Sequence, residues 1–271
     1  MVAEQEIIGE ENTQLPLLLL VENNLEFLNY LIQKLRYEYR ILTVMTGEKA
    51  LELLGQHEVD LVIIDSDLQG MNSLELSRTI SSNIEISHTS IVMLSSHSSA
   101  MSKIAGMESG VNVYIEKPFS IDYLKVCISN ILSRRNNLRQ LYKSKFMYPL
   151  TPQMFDLTHT DEKFLNQLDE VIFSNISDPA FSNDDIASAL YMSKSTLTRK
   201  IKALLDTTPN EYIRNKRLML AAQMLSESNC RVNDVCYSVG FNTPSYFAKC
   251  FKKVYGVLPM EYMSQKSITN E

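Results

Sequence analysis

The chain has 271 residues, 45% of them hydrophobic and 21% charged, which fits about two globular domains at roughly 100–200 residues each and excludes an intrinsically disordered chain. Its net charge of −6 is unevenly spread. Residues 1–135 carry 10 Lys+Arg against 18 Asp+Glu, a net of −8, whereas residues 193–266 carry 12 against 5, a net of +7. A polyanion would be repelled by the first half and attracted by the second, which points to a regulatory half joined to a polyanion-binding half.

The longest apolar run, Leu17–Val21, is far short of the roughly 20 residues of a membrane span. It is preceded by Glu4, Glu6, Glu10 and Glu11, where a secretory signal needs basic residues. The expectation is a cytoplasmic chain without membrane contact. Cys127, Cys230, Cys236 and Cys250 lack C-x-x-C spacing and read as buried thiols of a reducing compartment. His57, His88, His97 and His159 are scattered without ligand spacing and read as ordinary histidines.

In chain order, five short apolar runs, Leu17–Val21, Arg40–Val44, Leu61–Ile64, Ser90–Leu94 and Val113–Glu116, have the pattern of strands buried on both faces. Amphipathic stretches alternate with them. Leu25, Leu28, Leu31, Ile32 and Leu35 share one helical face, as do Ile121, Leu124, Ile128, Ile131 and Leu132. The alternation predicts an α/β doubly wound, flavodoxin-like parallel sheet of five strands. Ligands of such sheets bind beyond the carboxyl ends of the strands. There the chain places Glu22, Asp65, Ser95 and Lys117. Two carboxylates could hold Mg²⁺, and the lysine could neutralise a phosphoryl group.

Residues 16–135 resemble the receiver domain of two-component response regulators, through "LLLVEN", "DLVIIDSDLQGM", "IVMLSS" and "YIEKPFS" in the right order at the right strand ends. The resemblance implies that Asp65 is the phosphoacceptor, Ser95 the switch hydroxyl, Lys117 the phosphate-neutralising lysine and Tyr114 the aromatic side chain that follows the hydroxyl. It also implies a cis Lys117–Pro118 bond. Mg²⁺ would be held by Glu22, Asp65, the backbone carbonyl of Asp67 and, weakly, Asn23. The sequence departs from the family at Asn23, where a second acid is usual, at Gln69, where proline is usual, and at Asn72-Ser73, where Asp-Gly is usual. Losing one charge among the groups that would touch the metal predicts a weakened metal site, unless the Asp67 side chain restores it.

Residues 136–161 lose periodicity and include Pro149 and Pro152, reading as a helix end followed by an irregular linker. From 162 to 268 the pattern is all helical, and it repeats. "TPNEYI" at 208–213 and "LPMEYM" at 258–263 share Pro-x-Glu-Tyr at an offset of 50. Ala187 and Met192 pair with Cys236 and Phe241 at an offset of 49. A small residue, a turn and then a basic helix is the helix-turn-helix plan, present twice. The recognition helices are "KSTLTRKIKALL" behind an N-cap at Ser193 and "PSYFAKCFKKVY" behind Thr243. Between them Asn210–Leu225 is predicted as a rigid spacer helix, with Ile213, Leu220, Ala221 and Met224 on one face. Gly240 suits the tight turn of the second copy. Tyr191 stands there in the first, which requires strain or a different turn.

With Leu197, Ile201, Phe247 and Phe251 facing the core, Ser195, Thr198 and Arg199, then Ser245, Tyr246 and Lys249, face a DNA groove. Arg199 is the candidate for guanine readout. Lys202, Lys252 and Lys253 are expected on phosphates. This half resembles the DNA-binding domain of AraC/XylS-type transcription regulators, on "VNDVCYSVGFNTPSYFAKCFKKVYGVLPMEY". Both recognition helices are then expected in successive major-groove segments.

The order of receiver, linker and AraC-type domain resembles the C-terminal part of hybrid two-component regulators. The chain reads as a separate regulator or as such a piece, and as a regulator, not an enzyme. The implied function is a transcription factor, phosphorylated at Asp65 by a histidine kinase with Mg²⁺. It would form a homodimer through the fourth helix, fifth strand and fifth helix and bind repeated promoter sites. The alternative keeps DNA binding but makes the receiver a phosphate-independent dimerisation or protein-binding module.

Overall fold

The computed structural model describes residues 15–96, 99–144, 158–227 and 230–269. Glu4, Glu6, Glu10, Glu11, His97 and half of the expected linker, with Pro149 and Pro152, lie outside them. The described residues fall into two units, one taking those up to 138 with 158–162, the other the remainder.

The first unit is a five-stranded parallel sheet in the order β2-β1-β3-β4-β5. Its strands are β1 (Leu17–Val21), β2 (Arg40–Val44), β3 (Leu61–Asp65), β4 (Ser90–Ser95) and β5 (Val113–Glu116). Alternation along the strands feeds two cores. Leu17, Leu19, Val21, Val62 and Ile64 pack under α2 (Gly47–Gln56) and α3 (Ser73–Ser82). Leu18, Leu20, Leu61 and Ile63 pack with α1 (Leu25–Leu35) and α5 (Ile121–Ser144). Both faces are covered, so the strands read as unbroken apolar runs. Helix α4 (Ala100–Glu108) precedes β5. Side-chain caps start the helices: Asn24 accepts from the N–H groups of Glu26 and Phe27, Thr46 from Lys49, Asn72 from Leu74 and Ser99 from Ser102. Each satisfies an otherwise orphaned donor. The first unit also includes the start of α6 (His159–Ser174), where buried Asp161 accepts from Ser87 Oγ at 2.8 Å.

The second unit is helical. It contains α7 (Asn183–Ala189), α8 (Lys194–Leu205), α9 (Pro209–Glu227), α10 (Val232–Ser238), α11 (Pro244–Tyr255) and α12 (Pro259–Thr269). The repeated Pro-x-Glu-Tyr has a local cause. Pro209 and Pro259 open α9 and α12, and Glu211 and Glu261 reach back to accept from the N–H groups of Thr208 and Leu258, at 3.2 and 2.9 Å. This is the reciprocal half of a capping box. The tyrosines then diverge: Tyr212 donates to Asp169 at 2.6 Å, whereas Tyr262 packs edge-on to Phe251.

Helix α9 runs slightly beyond the expected 210–225, and its buried residues do not form a single stripe. Leu218, Ala222 and Leu225 are buried, while Leu220 and Met224 are only partly covered. The helix packs against α8, α10 and α12 at once, which requires apolar contact on several sides. Among the four cysteines only Cys236 is buried; Cys127, Cys230 and Cys250 are partly exposed free thiols. The expectation of four buried thiols is corrected to one, because the other three sit at the margins of their cores. No helix among the described residues is long and apolar enough to cross a membrane.

Candidate functional site

The sheet brings four predicted residues to one end. Ladder bonds continue one step past the strands, from Glu22 N–H to Val44 O, Ser66 N–H to Leu94 O and Lys117 N–H to Ser95 O, at 3.1, 2.8 and 2.7 Å. These bonds hold Glu22, Asp65, Ser95 and Lys117 side by side. Glu22, Asp65 and Ser95 are buried, while Lys117 reaches in from a partly open position. Its Nζ lies 2.9 Å from Asp65 Oδ1, 3.7 Å from Glu22 Oε2 and 4.5 Å from the centroid of the Phe27 ring. One ammonium therefore spans two carboxylates while its other side rests on an aromatic face, where a cation is also favoured. Sequence reasoning missed Phe27, because nothing in the pattern of α1 distinguishes it from a core position. The Lys117–Pro118 bond is cis.

Glu22 has one oxygen satisfied, by the N–H of Asn24 at 2.8 Å. Its Oε2 is buried without a hydrogen bond. Burial pushes the Glu22 carboxyl above its ordinary range; the Asn24 N–H pulls it down and the Asp65 charge pushes it further up. A buried, hydrogen-bond-free carboxylate oxygen beside a second carboxylate fits a hard cation, which binds oxygen ligands.

Asn23 is tied to the loop after β3 through its amide nitrogen. Its Nδ2 donates to the backbone carbonyl of Asp67 at 3.0 Å, the carbonyl that the receiver resemblance assigns to the metal. A carboxylate at position 23 could not donate this bond. The Asp67 side chain meets hydroxyls. It is exposed and accepts from Ser66 Oγ and Ser96 Oγ, at 3.3 and 3.4 Å. Among the described residues no three His, Cys, Asp or Glu side chains are grouped to hold a metal. The departures at Asn72-Ser73 have local uses: Asn72 caps α3, and the Ser73 hydroxyl donates back to the Ser66 carbonyl, bracing the loop after β3.

Tyr114 is half-buried, and a Cβ on Gly106 would lie 3.0 Å from its ring, so the glycine makes room for it on α4. Met101, Ile104 and Met107 on α4, with Tyr123 and Val126 on α5, are exposed.

In the second unit Leu197, Ile201, Phe247 and Phe251 are fully buried. Ser195, Thr198, Lys202, Ser245, Tyr246, Lys249, Lys252 and Lys253 are exposed. Arg199 is only half-exposed, with its Nε buried, so its guanidinium is less open than expected. Its neighbour Lys200 is fully buried, with Nζ 5.2 Å from the Phe164 ring centroid. That burial was not legible in a run of basic residues.

Two family models match: Response regulator receiver domain over residues 18–129 and Helix-turn-helix domain over residues 186–265. "Histidine kinase P4" of Formosa agariphila is 34% identical over 92% of this chain, which spans 18% of that protein. "Response regulator ArlR" of Staphylococcus aureus is 30% identical over 56% of this chain and 72% of that protein. "Aerobic respiration control protein ArcA" of Escherichia coli is 32% identical over 46% of this chain, which covers about half of that protein, 52%. The chain belongs to the two-component response regulators. Within them it pairs a receiver with an AraC-type helix-turn-helix domain.

Proposed function

We propose that the chain is a sequence-specific transcriptional regulator gated by phosphorylation of Asp65. The observation that carries this is the Lys117 ammonium at 2.9 Å from a buried Asp65 carboxylate, on the same chain as a basic, twice-repeated helix-turn-helix. An Asp65 oxygen attacks the phosphorus of a kinase phosphohistidine; the P–N bond breaks, and the imidazole leaves with its electron pair. Lys117 stays beside the new acyl phosphate and offsets its charge. Ser95, one strand over, donates its hydroxyl to a phosphoryl oxygen, and Tyr114 follows into the space it vacates. Glu22, Asp65, the Asp67 carbonyl and, weakly, Asn23 would hold Mg²⁺, which would supply further charge neutralisation there. Phosphorylation then favours a homodimer through the exposed apolar residues of α4 and α5, placing two DNA-binding units on repeated sites. Ser195, Thr198, Arg199, Ser245, Tyr246 and Lys249 are assigned to the groove, and Lys202 and Lys252 to phosphates.

The test is acetyl phosphate with Mg²⁺ on the whole chain, read by intact mass and by affinity for promoter DNA. Wild type gains one phosphoryl group and binds more tightly, and Asp65→Asn does neither. A second reading, a phosphate-independent receiver, is favoured by the Asn23 bond to the Asp67 carbonyl. It predicts tight dimers and DNA binding that are identical in wild type and Asp65→Asn.

A further inference from the structure

We propose that Tyr191 is a DNA-backbone contact of the first helix-turn-helix, its ring against a deoxyribose and its hydroxyl donating to a phosphate oxygen beside the groove that α8 enters. The proposal rests on the DNA-binding reading above.

The two turns share one backbone. Met192 N–H donates to Ala187 O at 2.9 Å and Tyr191 N–H to Ser188 O at 3.2 Å. In the second copy Phe241 N–H donates to Cys236 O at 3.1 Å and Gly240 N–H to Tyr237 O at 3.0 Å. The residue closing each first helix is left-handed, with φ of 54° at Tyr191 and 81° at Gly240. Glycine is the usual occupant of that position, because a Cβ is strained there. The first copy therefore keeps the same turn and accepts the strain.

The two positions differ in what surrounds them. A Cβ on Gly240 would lie 2.3 Å from the Ile176 carbonyl oxygen and 3.0 Å from the Arg217 guanidinium, which donates to that same carbonyl. Glycine is compulsory there. Tyr191 is 98% exposed, so its ring gains no packing in the free protein to compensate for the backbone. Strain without local compensation marks a residue whose partner lies elsewhere.

Its place identifies the partner. Tyr191 stands three residues before Lys194, the first residue of α8, and Ser193, Lys194 and Ser195 are all exposed. The start of a recognition helix enters the groove, and the segment leading into it passes the sugar-phosphate edge. Tyrosine is among the side chains that bond phosphate oxygens.

The experiment uses the full chain and a duplex recovered with wild type from a random-sequence pool. Tyr191→Gly should raise the thermal midpoint by about 4 °C and weaken DNA binding roughly tenfold. Tyr191→Phe, which keeps the ring, should lose less. Neither should alter the salt slope, because a neutral hydrogen bond releases no counterion, whereas Lys202→Ala lowers it by about 1. Unchanged DNA affinity in Tyr191→Gly, or a lowered midpoint, overturns the proposal. If wild type recovers no duplex at all, the DNA-binding reading fails and takes this contact with it, an outcome distinct from selective tolerance of Tyr191→Gly.

Discussion

Lys117 and Asp65, 52 residues apart in the chain, meet through a 2.9 Å bond at the end of the sheet. The ammonium also faces Glu22, so it is the charge that lets two buried carboxylates coexist. Removing one partner of such a group leaves the others uncompensated. Lys117→Ala should destabilise the receiver by roughly 1–3 kcal/mol, read by urea unfolding, and should leave a phosphorylated chain without tighter DNA binding. Full retention of both properties would contradict the role assigned to Lys117.

Glu22 gives a pH signature. Its carboxyl is raised above 4.5, chiefly by burial, so the folded state binds more protons than the unfolded one just above that value. Its contribution is therefore most favourable below about pH 4.5 and is lost as pH rises through the folded value. Glu22→Gln should raise the thermal midpoint at pH 7, with the gain over wild type shrinking as pH falls towards 4.5. A gain that grows on acidification would reverse the sign.

Asn23 separates metal affinity from apo stability. Asn23→Asp replaces a donor to the Asp67 carbonyl with a third negative charge near Glu22 and Asp65. Without metal the midpoint should fall. Mg²⁺ affinity by calorimetry should rise by roughly 10–100-fold. Unaltered Mg²⁺ affinity would show that position 23 does not control the site.

Phe251 anchors the second half of the DNA-binding unit. It is fully buried, stacked on Tyr255 with centroids 4.5 Å apart, and it also meets Phe247 and Tyr262. Phe251→Ala should cost about 3–5 kcal/mol of stability. Circular dichroism melts would then show the helical unit unfolding earlier while the midpoint of an isolated receiver transition stays put.

Local pattern carried most of the architecture. The strands emerge within a residue of their expected ends because runs buried on both faces leave no alternative register of polarity. Helix α8 begins at Lys194 because Ser193 caps it by accepting from the Thr196 N–H, and α11 begins at Pro244 because proline suits the first helical position, the Thr243 side chain making no capping bond there. The positions of Glu22, Asp65, Ser95 and Lys117 followed from their standing at or just past the ends of strands.

By itself, then, the sequence determined element order, the doubly repeated helix-turn-helix and the residues arriving at the sheet end, since those depend on periodicities and caps spanning a few residues. Only the tertiary structure decided what the arriving side chains do. Asn23 donates its Nδ2 to a carbonyl 44 positions away, and Asp67 turns towards Ser96, 29 positions on. Lys200 is buried over Phe164 beside a half-covered Arg199. Each outcome is set by a partner far along the chain, and no local periodicity encodes which of two polar atoms a long-range neighbour will meet.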